Sequence, residues 1–439
     1  MIRQLIITST ALALGACGIF GGDDDDGTPV VGNRVAVLPS ETGIEADPAI
    51  ATLPVTLPAA TPNAEWTQPG GNASKSLGHL SLGSSPARVW TAQIGAGSDK
   101  AAHLTATPVI AEGRVYTMDT HSVIRAFDAA SGDEVWSQTL KRPGEKERSA
   151  FGGGVSVFGG RVFATSGYGL AAAYDAASGS AIWEYDSQIP LRGAPTVADG
   201  RVLVMTQDNQ LFALDAVQGE RQWEVIGTIE PTGILGAAAP SVAQGTVVTG
   251  FSSGELTAVR IENGRTVWQD ALARTGRSTQ LAALSDIDAP AVVTDGRVFA
   301  IGHGGRMVSL ELATGQRVWE QSLAGVSSPV IAGDWAFAVT TEAEVVAMVA
   351  GDGRIRWISQ LPRYRNEDKK KGPIYYRGPL LAGDRLWLTS SEGQLIALSP
   401  TDGSIQFQTE AADAFFLPPV VAGGTMYLLD ESGRLSAYR

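Results

Sequence analysis

Residues 127–136 read FDAASGDEVW, and residues 174–183 repeat the stretch almost unchanged as YDAASGSAIW. Each copy ends in a Trp, Trp136 or Trp183, and carries a Gly four residues earlier. The Gly supplies the positive φ that a tight turn before a strand needs. A chain that repeats such a unit indicates an array of similar structural modules.

The same unit recurs along most of the chain, at an average interval of about 45 residues, which is typical of propellers. Its large aromatic position is expected to fill the gap between adjacent sheets. The units end at Trp90, Trp136, Trp183, Trp223, Trp268, Trp319, Trp357 and Phe407.

Each unit also contains a hairpin upstream of its Trp. TPVIAEGRVYTM begins at Thr107 and APSVAQGTVVTG at Ala239, and both place two β-branched runs around a Gly-containing turn. A third alternating run follows, such as NQLFALD from Asn209. One repeat therefore predicts four short antiparallel strands, and no stretch after residue 64 has a sustained helical period.

The two ends of the repeat region complete one another. Seven full sets end at Trp136 to Phe407, while the last unit, from Pro418 to Arg439, has only its first three strands. ARVWTAQI, from Ala87 to Ile94, has only a fourth strand. We therefore predict an all-β, eight-bladed β-propeller of four-stranded antiparallel blades, with the ring closed by the N-terminal strand.

The N-terminus has the pattern of a lipoprotein signal. MIRQLIITSTALALGAC has a basic residue, an apolar run too short to span a bilayer, and Cys17, the only Cys in the chain. An ordinary signal peptide is the alternative. We expect residues 1–16 to be a signal peptide and residues 17–63, rich in Pro, Gly, Thr and Asp, to be a lipidated Cys and flexible linker. The propeller is expected over residues 64–439.

The repeats, the Cys17 pattern and the stretch LAALSDIDAPAVV from Leu281 resemble the BamB family. These are lipoproteins of the outer-membrane β-barrel assembly (BAM) complex with repeats like those of pyrroloquinoline-quinone (PQQ) proteins. The resemblance covers residues 64–439. It implies a non-enzymatic scaffold, anchored by acyl chains to the outer membrane on its periplasmic face. Its implied partners are the periplasmic (POTRA) domains of BamA and unfolded outer-membrane proteins.

The resemblance also implies a partner-binding surface made of two loops. One is an upstream loop at residues 234–236. There Leu235 stands where the family has an Arg, so the charged contact of that Arg is not carried over. The other is an LSDxD loop at residues 284–288. The presence of Asp286 and Asp288 there has a competing explanation, because Asp in tight turns often caps the backbone. The implied residues are Leu284, Ser285, Asp286, Ile287 and Asp288 in an LSDxD loop, and Ile234, Leu235 and Gly236 in the upstream loop.

The alternative function is a quinone-binding (PQQ) dehydrogenase or a degenerate relative. Dehydrogenases of this fold place a disulfide of adjacent Cys residues and calcium ligands near the central axis, whereas this chain has one Cys. The four His residues lack metal-ligand spacing; they are His79, His103, His121 and His303. We therefore expect no catalytic residue, no metal and no cofactor.

Charge limits the remaining partners. With 33 basic and 46 acidic residues, the net charge of −13 argues against nucleic acid. One exception is the insertion RYRNEDKKKGPIYY, from Arg363 to Tyr376. We interpret it as a solvated, mobile loop; a contact for an acidic partner or lipid head groups is the alternative.

Overall fold

The computed structural model describes residues 43–145, 152–229, 238–272 and 286–439, and Ile44–Arg439 form one unit. Cys17, the signal peptide and the first part of the expected linker lie outside the described residues. The described chain contains one 3-10 helix, η1 (Pro48–Ile50), and otherwise strands. None of its helices has the length and apolarity needed to cross a membrane.

Eight four-stranded antiparallel sheets confirm the predicted eight-bladed propeller. The eighth blade combines both ends of the repeat region: β1 (Arg88–Gln93), β32 (Val420–Ala422), β33 (Thr425–Leu429) and β34 (Arg434–Tyr438). Blades 1 and 2 are β2 (Val109–Ala111), β3 (Arg114–Met118), β4 (Val123–Asp128) and β5 (Glu134–Thr139), then β6 (Gly153–Phe158), β7 (Arg161–Ser166), β8 (Leu170–Asp175) and β9 (Ala181–Asp186).

Blades 3 to 5 repeat the same order. Blade 3 is β10 (Thr196–Ala198), β11 (Arg201–Met205), β12 (Gln210–Asp215) and β13 (Arg221–Ile226). Blade 4 is β14 (Ser241–Ala243), β15 (Thr246–Gly250), β16 (Glu255–Arg260) and β17 (Thr266–Ala271). Blade 5 is β18 (Val292–Thr294), β19 (Arg297–Gly302), β20 (Arg306–Glu311) and β21 (Arg317–Gln321).

Blades 6 and 7 are separated by a small hairpin. Blade 6 is β22 (Val330–Ala332), β23 (Trp335–Val339), β24 (Glu344–Val349) and β25 (Ile355–Gln360). The hairpin is β26 (Tyr364–Asn366) and β27 (Lys371–Pro373). Blade 7 is β28 (Tyr376–Ala382), β29 (Arg385–Ser390), β30 (Gln394–Leu398) and β31 (Ile405–Glu410).

The ring closes as predicted, through the pairing of β1 with β34. Trp90 lies opposite Ala437 and Gln93 opposite Arg434. The backbone N–H of Ala87 donates to the carbonyl of Arg439 at 2.9 Å, and the N–H of Arg439 donates back at 2.9 Å. The fourth strand of the eighth blade therefore comes from the start of the repeat region.

Burial follows strand position within a blade. In blade 3, the central residues of β12 are all buried, whereas β13 alternates exposed and half-buried residues. The middle strands are covered on both faces by neighbouring blades, so they are continuous apolar runs. The outer strand has one edge in solvent and keeps the alternating pattern. The core consequently lies between blades, around the middle strands.

The Trp at the end of each repeat joins its blade to the next one. The indole Nε1 of Trp136 donates to the carbonyl of Ala176 at 3.0 Å. A Cβ added at Gly179, where φ is +72°, would lie 2.7 Å from the Trp136 ring. The Gly of the repeat is thus needed both for its φ and for the ring above it. Equivalent bonds join Trp90 to Ala129, Trp183 to Ala216, Trp223 to Ile261, Trp268 to Leu312, Trp319 to Ala350 and Trp357 to Pro400.

Phe407 occupies this position in blade 7 and has no N–H to donate. The neighbouring third and fourth strands of blade 8, β34 and β1, come from distant parts of the chain, so no short turn joins them. The turn carbonyl that accepts the indole N–H elsewhere is therefore missing at this place. Phe407 packs edge-on against Trp387, with ring centroids 5.8 Å apart.

Residues 44–63, which we expected within the flexible linker, pack on the propeller instead. The N–H of Asp47 donates to the carbonyl of Ile355 at 2.8 Å, and Arg356 Nε donates to the carbonyl of Leu53 at 2.9 Å. Ile50 is buried. The edge of β25 supplies unpaired backbone groups, and Ile44, Val55 and Leu57 pack against the core, so both kinds of contact hold this segment.

The basic insertion forms a hairpin, whereas the sequence led us to expect a solvated, mobile loop. Ion pairs tie its two Arg residues to neighbouring turns: Arg365 to Glu392 at 2.7 Å, and Arg363 to Glu342. The three Lys residues at 369–371 are exposed. Pairing of β26 with β27 and these ion pairs give the insertion a defined shape.

Candidate functional site

Residues 63–82, here called the inner strap, lie along the inner edge of the ring. Inner strands leave unpaired N–H and C=O groups facing the axis, and the inner strap pairs with them. Backbone bonds reach six blades: Trp66 pairs with Ile110, Asn63 with Gly423, Thr67 with Val157, Ala73 with Val242, Ser74 with Val293, and Leu80 with Leu381. The side-chain amide of Gln68 reaches a seventh, blade 3, because it donates to the Val197 carbonyl at 3.0 Å and accepts from the Val197 N–H at 2.9 Å.

A cavity of about 460 Å³ lies between the inner strap and the residues that precede the inner strands. The repeated Pro positions form much of its wall, for example Pro290, Pro329 and Pro418. Trp66 and Leu77 of the inner strap line it, and so does Phe416. Apolar and backbone groups therefore make up most of the cavity surface.

Charged side chains also line this cavity. Arg192 precedes β10, Asp288 precedes β18, and Arg377 stands in β28. Burial raises the pKa of Asp288 to about 6, repulsion by Asp286 adds to the rise, and the two guanidinium groups oppose it. Burial lowers the pKa of Arg377 from its ordinary value, and attraction to Asp288 and Glu431 opposes that change.

The inner strap contributes one ionisable side chain to the cavity lining, that of Lys75. Its side chain is 5% exposed, and its Nζ donates to Thr196 Oγ1 at 3.1 Å. Burial lowers the pKa of Lys75 from 10.5 to about 7, because the ammonium form loses its hydration inside the protein. The amine is consequently close to half protonated at neutral pH.

The described part of the LSDxD loop is mostly buried. Asp286 and Ile287 are each 2% exposed, and the Asp286 carbonyl accepts a hydrogen bond from the N–H of His303 at 2.9 Å. A Cβ added at Gly250 would lie 2.4 Å from Ile287. Asp288 is half-buried and lines the cavity. Of the two Asp residues in the described part of the loop, Asp288 is therefore the one that is partly exposed.

The remaining residues of the two implied loops lie outside the described residues: Leu284 and Ser285 in the first loop, and Ile234, Leu235 and Gly236 in the second. Their role in partner binding stays a prediction. An LRG sequence does occur one repeat earlier, where Arg192 of Leu191–Gly193 lines the cavity.

Our sequence reasoning missed three of the cavity's charged residues, Lys75, Arg192 and Arg377. A signal for two of them exists, because an Arg-Gly pair stands just before the Pro of the inner strand in two repeats, at Arg192 and Arg377. No comparable signal marks Lys75, since its position depends on the path of the inner strap.

The residues present do not fit a calcium-bound quinone. Within the described ranges, no three His, Cys, Asp or Glu side chains are grouped so that they could hold a metal ion. Arg192 and Arg377 line the cavity together with its carboxylate, Asp288, and attract it through space. His79 uses both ring nitrogens, with Nδ1 2.8 Å from the Pro58 carbonyl and Nε2 accepting from the Asp384 N–H at 3.0 Å.

Solved structures with the same fold include a BamB and a quinohemoprotein dehydrogenase. BamB from Moraxella catarrhalis superposes with a TM-score of 0.69 at 18% identity, over 81% of this chain and 100% of that one. A quinohemoprotein alcohol dehydrogenase from Comamonas testosteroni gives a TM-score of 0.65 at 14% identity, over 86% and 81% of the two chains. At these identities the likeness shows the fold alone.

Sequence comparison separates these two kinds of protein. Outer membrane protein assembly factor BamB of Escherichia coli K12 is 30% identical over 296 residues, covering 67% of this chain and 74% of that protein. The Yersinia pestis relative of the same name is 27% identical over 307 residues, covering 67% and 75%. The model of the family described as outer membrane protein assembly factor BamB matches residues 120–359 and 365–439. The chain belongs to this BamB family.

Proposed function

We propose that this protein is a non-enzymatic scaffold of the outer-membrane β-barrel assembly machinery, which binds the POTRA domains of BamA and aids insertion of unfolded outer-membrane proteins. The observation that carries the proposal is the family match, which covers 120–359 and 365–439 and so extends over most of the propeller. The closed ring suits this role, because a scaffold needs a surface that keeps its shape while partners bind.

The proposal includes attachment through Cys17. The signal pattern in residues 1–17 supports acylation of this Cys, with the propeller on the periplasmic side of the outer membrane. A Cys17→Ser variant should remain unprocessed by the lipoprotein route. A variant with an ordinary secretory signal should appear in the soluble periplasmic fraction, and its retention in membranes lacking BamA would contradict lipid anchoring.

For BamA we propose docking on the face where chain segments lead into the inner strands. Residues 234–236 and 284–288 precede β14 and β18 in the sequence, so they belong to neighbouring blades 4 and 5. Asp288 is the accessible described carboxylate of this set. The buried Asp286 would then act by holding the loop in place rather than by contacting BamA.

Purified POTRA domains and the acyl-free protein test this docking face. The Asp288→Asn variant should bind several-fold more weakly, because it removes the charge and keeps the size of the side chain. Asp295→Asn is the matched control, since Asp295 is exposed in the β18–β19 turn at the other end of the same strand. Equal binding by both variants and the parent would assign docking to another surface.

A quinone-dependent dehydrogenase receives no support from the cavity residues described above. Titration with the quinone and calcium provides the direct check. A saturable spectral change accompanied by reduction of an acceptor dye would replace the scaffold proposal with an enzymatic one.

A further inference from the structure

The central cavity has features that docking to BamA does not explain. Its volume of about 460 Å³ lies in the range of small-molecule sites. Pro, Gly and Ala residues recur around the wall, beside the inner strands and the inner strap. Backbone pairing of the inner strap with the inner strands fixes the position of this wall, so the cavity should persist in solution.

The ionisable residues that line the cavity are mainly basic. Lys75, Arg192 and Arg377 line it together with His103, and Asp288 is the carboxylate of this lining. Two further carboxylates are outside this lining: Asp286 acts on Asp288 through space, and Glu431 acts on Arg377 and lies 3.8 Å from His103 Nδ1. An anion entering the cavity would therefore meet guanidinium groups before it meets carboxylates other than Asp288.

Arg377 is well placed to bind such an anion. Its Nη1 donates a hydrogen bond to the carbonyl of Tyr376 at 3.1 Å, and its Cζ lies 5.9 Å from the centre of the Phe416 ring. A guanidinium carries five N–H donors in a planar fork that matches a carboxylate or phosphate. The ring of Phe416 lies beside this fork at the cavity wall.

We propose that the central cavity binds an organic anion with an apolar body. The anionic group lies against Arg377, with Arg192 adding positive charge, and the apolar body lies against Phe416, Leu77 and Trp66. Burial of the body supplies affinity, and the guanidinium selects the charge. Asp288 lines this cavity and also belongs to the proposed docking face, but small anions and POTRA domains are tested separately, so either proposal can fail while the other holds.

A matched pair of ligands tests the charge requirement. We would titrate the acyl-free full propeller with 4-phenylbutyrate and with its neutral amide, 4-phenylbutanamide, by calorimetry. The carboxylate should bind saturably at one site per chain, and the amide at least about tenfold more weakly. Absence of saturable binding, or equal binding of both compounds, would overturn the proposal.

Variants locate the site. Arg377→Gln should weaken phenylbutyrate binding about tenfold, whereas Arg260→Gln, at an exposed strand end, should leave it unchanged. Val326→Trp, at a half-buried position of the wall, should abolish binding by filling the cavity. Melting curves check that each variant is folded. Normal binding by both folded cavity variants would overturn the assignment to this cavity.

Small anions distinguish the two parts of the ligand. Inorganic phosphate and acetate should compete at least about a hundredfold more weakly than phenylbutyrate, because they lack the apolar body. Competition by phosphate at the affinity of phenylbutyrate would mean that the cavity recognises the anion alone, which would overturn the requirement for an apolar body.

Discussion

The contact between each Trp and the Gly of the next blade predicts how two apparently equal Gly substitutions should differ. Gly179 and Gly200 both have a φ of +72° in turns of the propeller. A Cβ at Gly179 would lie 2.7 Å from the Trp136 ring, whereas a Cβ at Gly200 would meet nothing within 4 Å. Both Ala variants have the left-handed backbone strain, about 1 kcal/mol. Only Gly179→Ala must also displace a buried indole.

The added cost at Gly179 follows from overpacking. Forcing a side chain out of a well-packed position typically costs about 1–3 kcal/mol. Displacement of Trp136 also stretches its 3.0 Å hydrogen bond to the Ala176 carbonyl, which is worth about 1 kcal/mol. We therefore expect Gly200→Ala to lower the free energy of unfolding by about 1 kcal/mol and Gly179→Ala by about 2–5 kcal/mol.

Equilibrium denaturation by guanidinium chloride measures both variants, provided that refolding is reversible. A double-mutant cycle with Trp136→Leu isolates the contact, because the smaller side chain should remove most of the extra cost of Gly179→Ala. Equal destabilisation by the two Gly variants, or an unchanged cost in the Trp136→Leu background, would refute the reasoning.

Three further predictions concern the strand that closes the ring and two titrating groups. Deletion of residues 64–94 removes β1 with Trp90 and also the inner strap from residue 64 on, and should lower the free energy of unfolding by at least about 3–5 kcal/mol; deletion of residues 18–43 should leave thermal melting unchanged, and equal melting would contradict the closure. The pKa of Lys75 is lowered from 10.5 to about 7, so the unfolded state binds more protons between these values, and stability relative to Lys75→Met should rise by about 2 kcal/mol from pH 7 to pH 9; the exposed Lys100→Met control should keep the parent's slope. The pKa of Asp288 is raised from 3.8 to about 6, so its charge opposes folding above that pH; Asp288→Asn should be about 1 kcal/mol more stable than the parent at pH 8, and the gain should vanish near pH 4.

The blades were predictable from sequence because their signals are local. A Gly turn, alternating runs and one Trp per repeat fix each blade, and the incomplete units at Trp90 and Pro418 show how the ring closes. The close approach of the Trp136 ring, which also requires a Gly at position 179, could not be predicted from the repeat, because that ring belongs to another blade. Periodicity reports which residues are buried but not which blade covers them.

The cavity was not predictable for the same reason. The inner strap has no repeating pattern, since its conformation comes from pairing with strand edges of seven blades that are far apart in sequence. Lys75 looks like an ordinary surface Lys until that pairing buries it. Likewise, the Asp286 carboxylate appeared to be a candidate for partner contact, and only the folded structure, in which Asp286 is 2% exposed, shows that it is buried.

Purification of the full-length, acylated protein from outer membranes of its own organism tests the central claim most directly. A tag at the C-terminal end, after Arg439, would leave Cys17 and its processing intact. After mild detergent extraction, BamA should co-purify in near-equal amounts, and a tagged unrelated outer-membrane lipoprotein should retain none. Recovery of the acylated protein from these membranes without BamA would contradict its assignment as a scaffold of the assembly machinery.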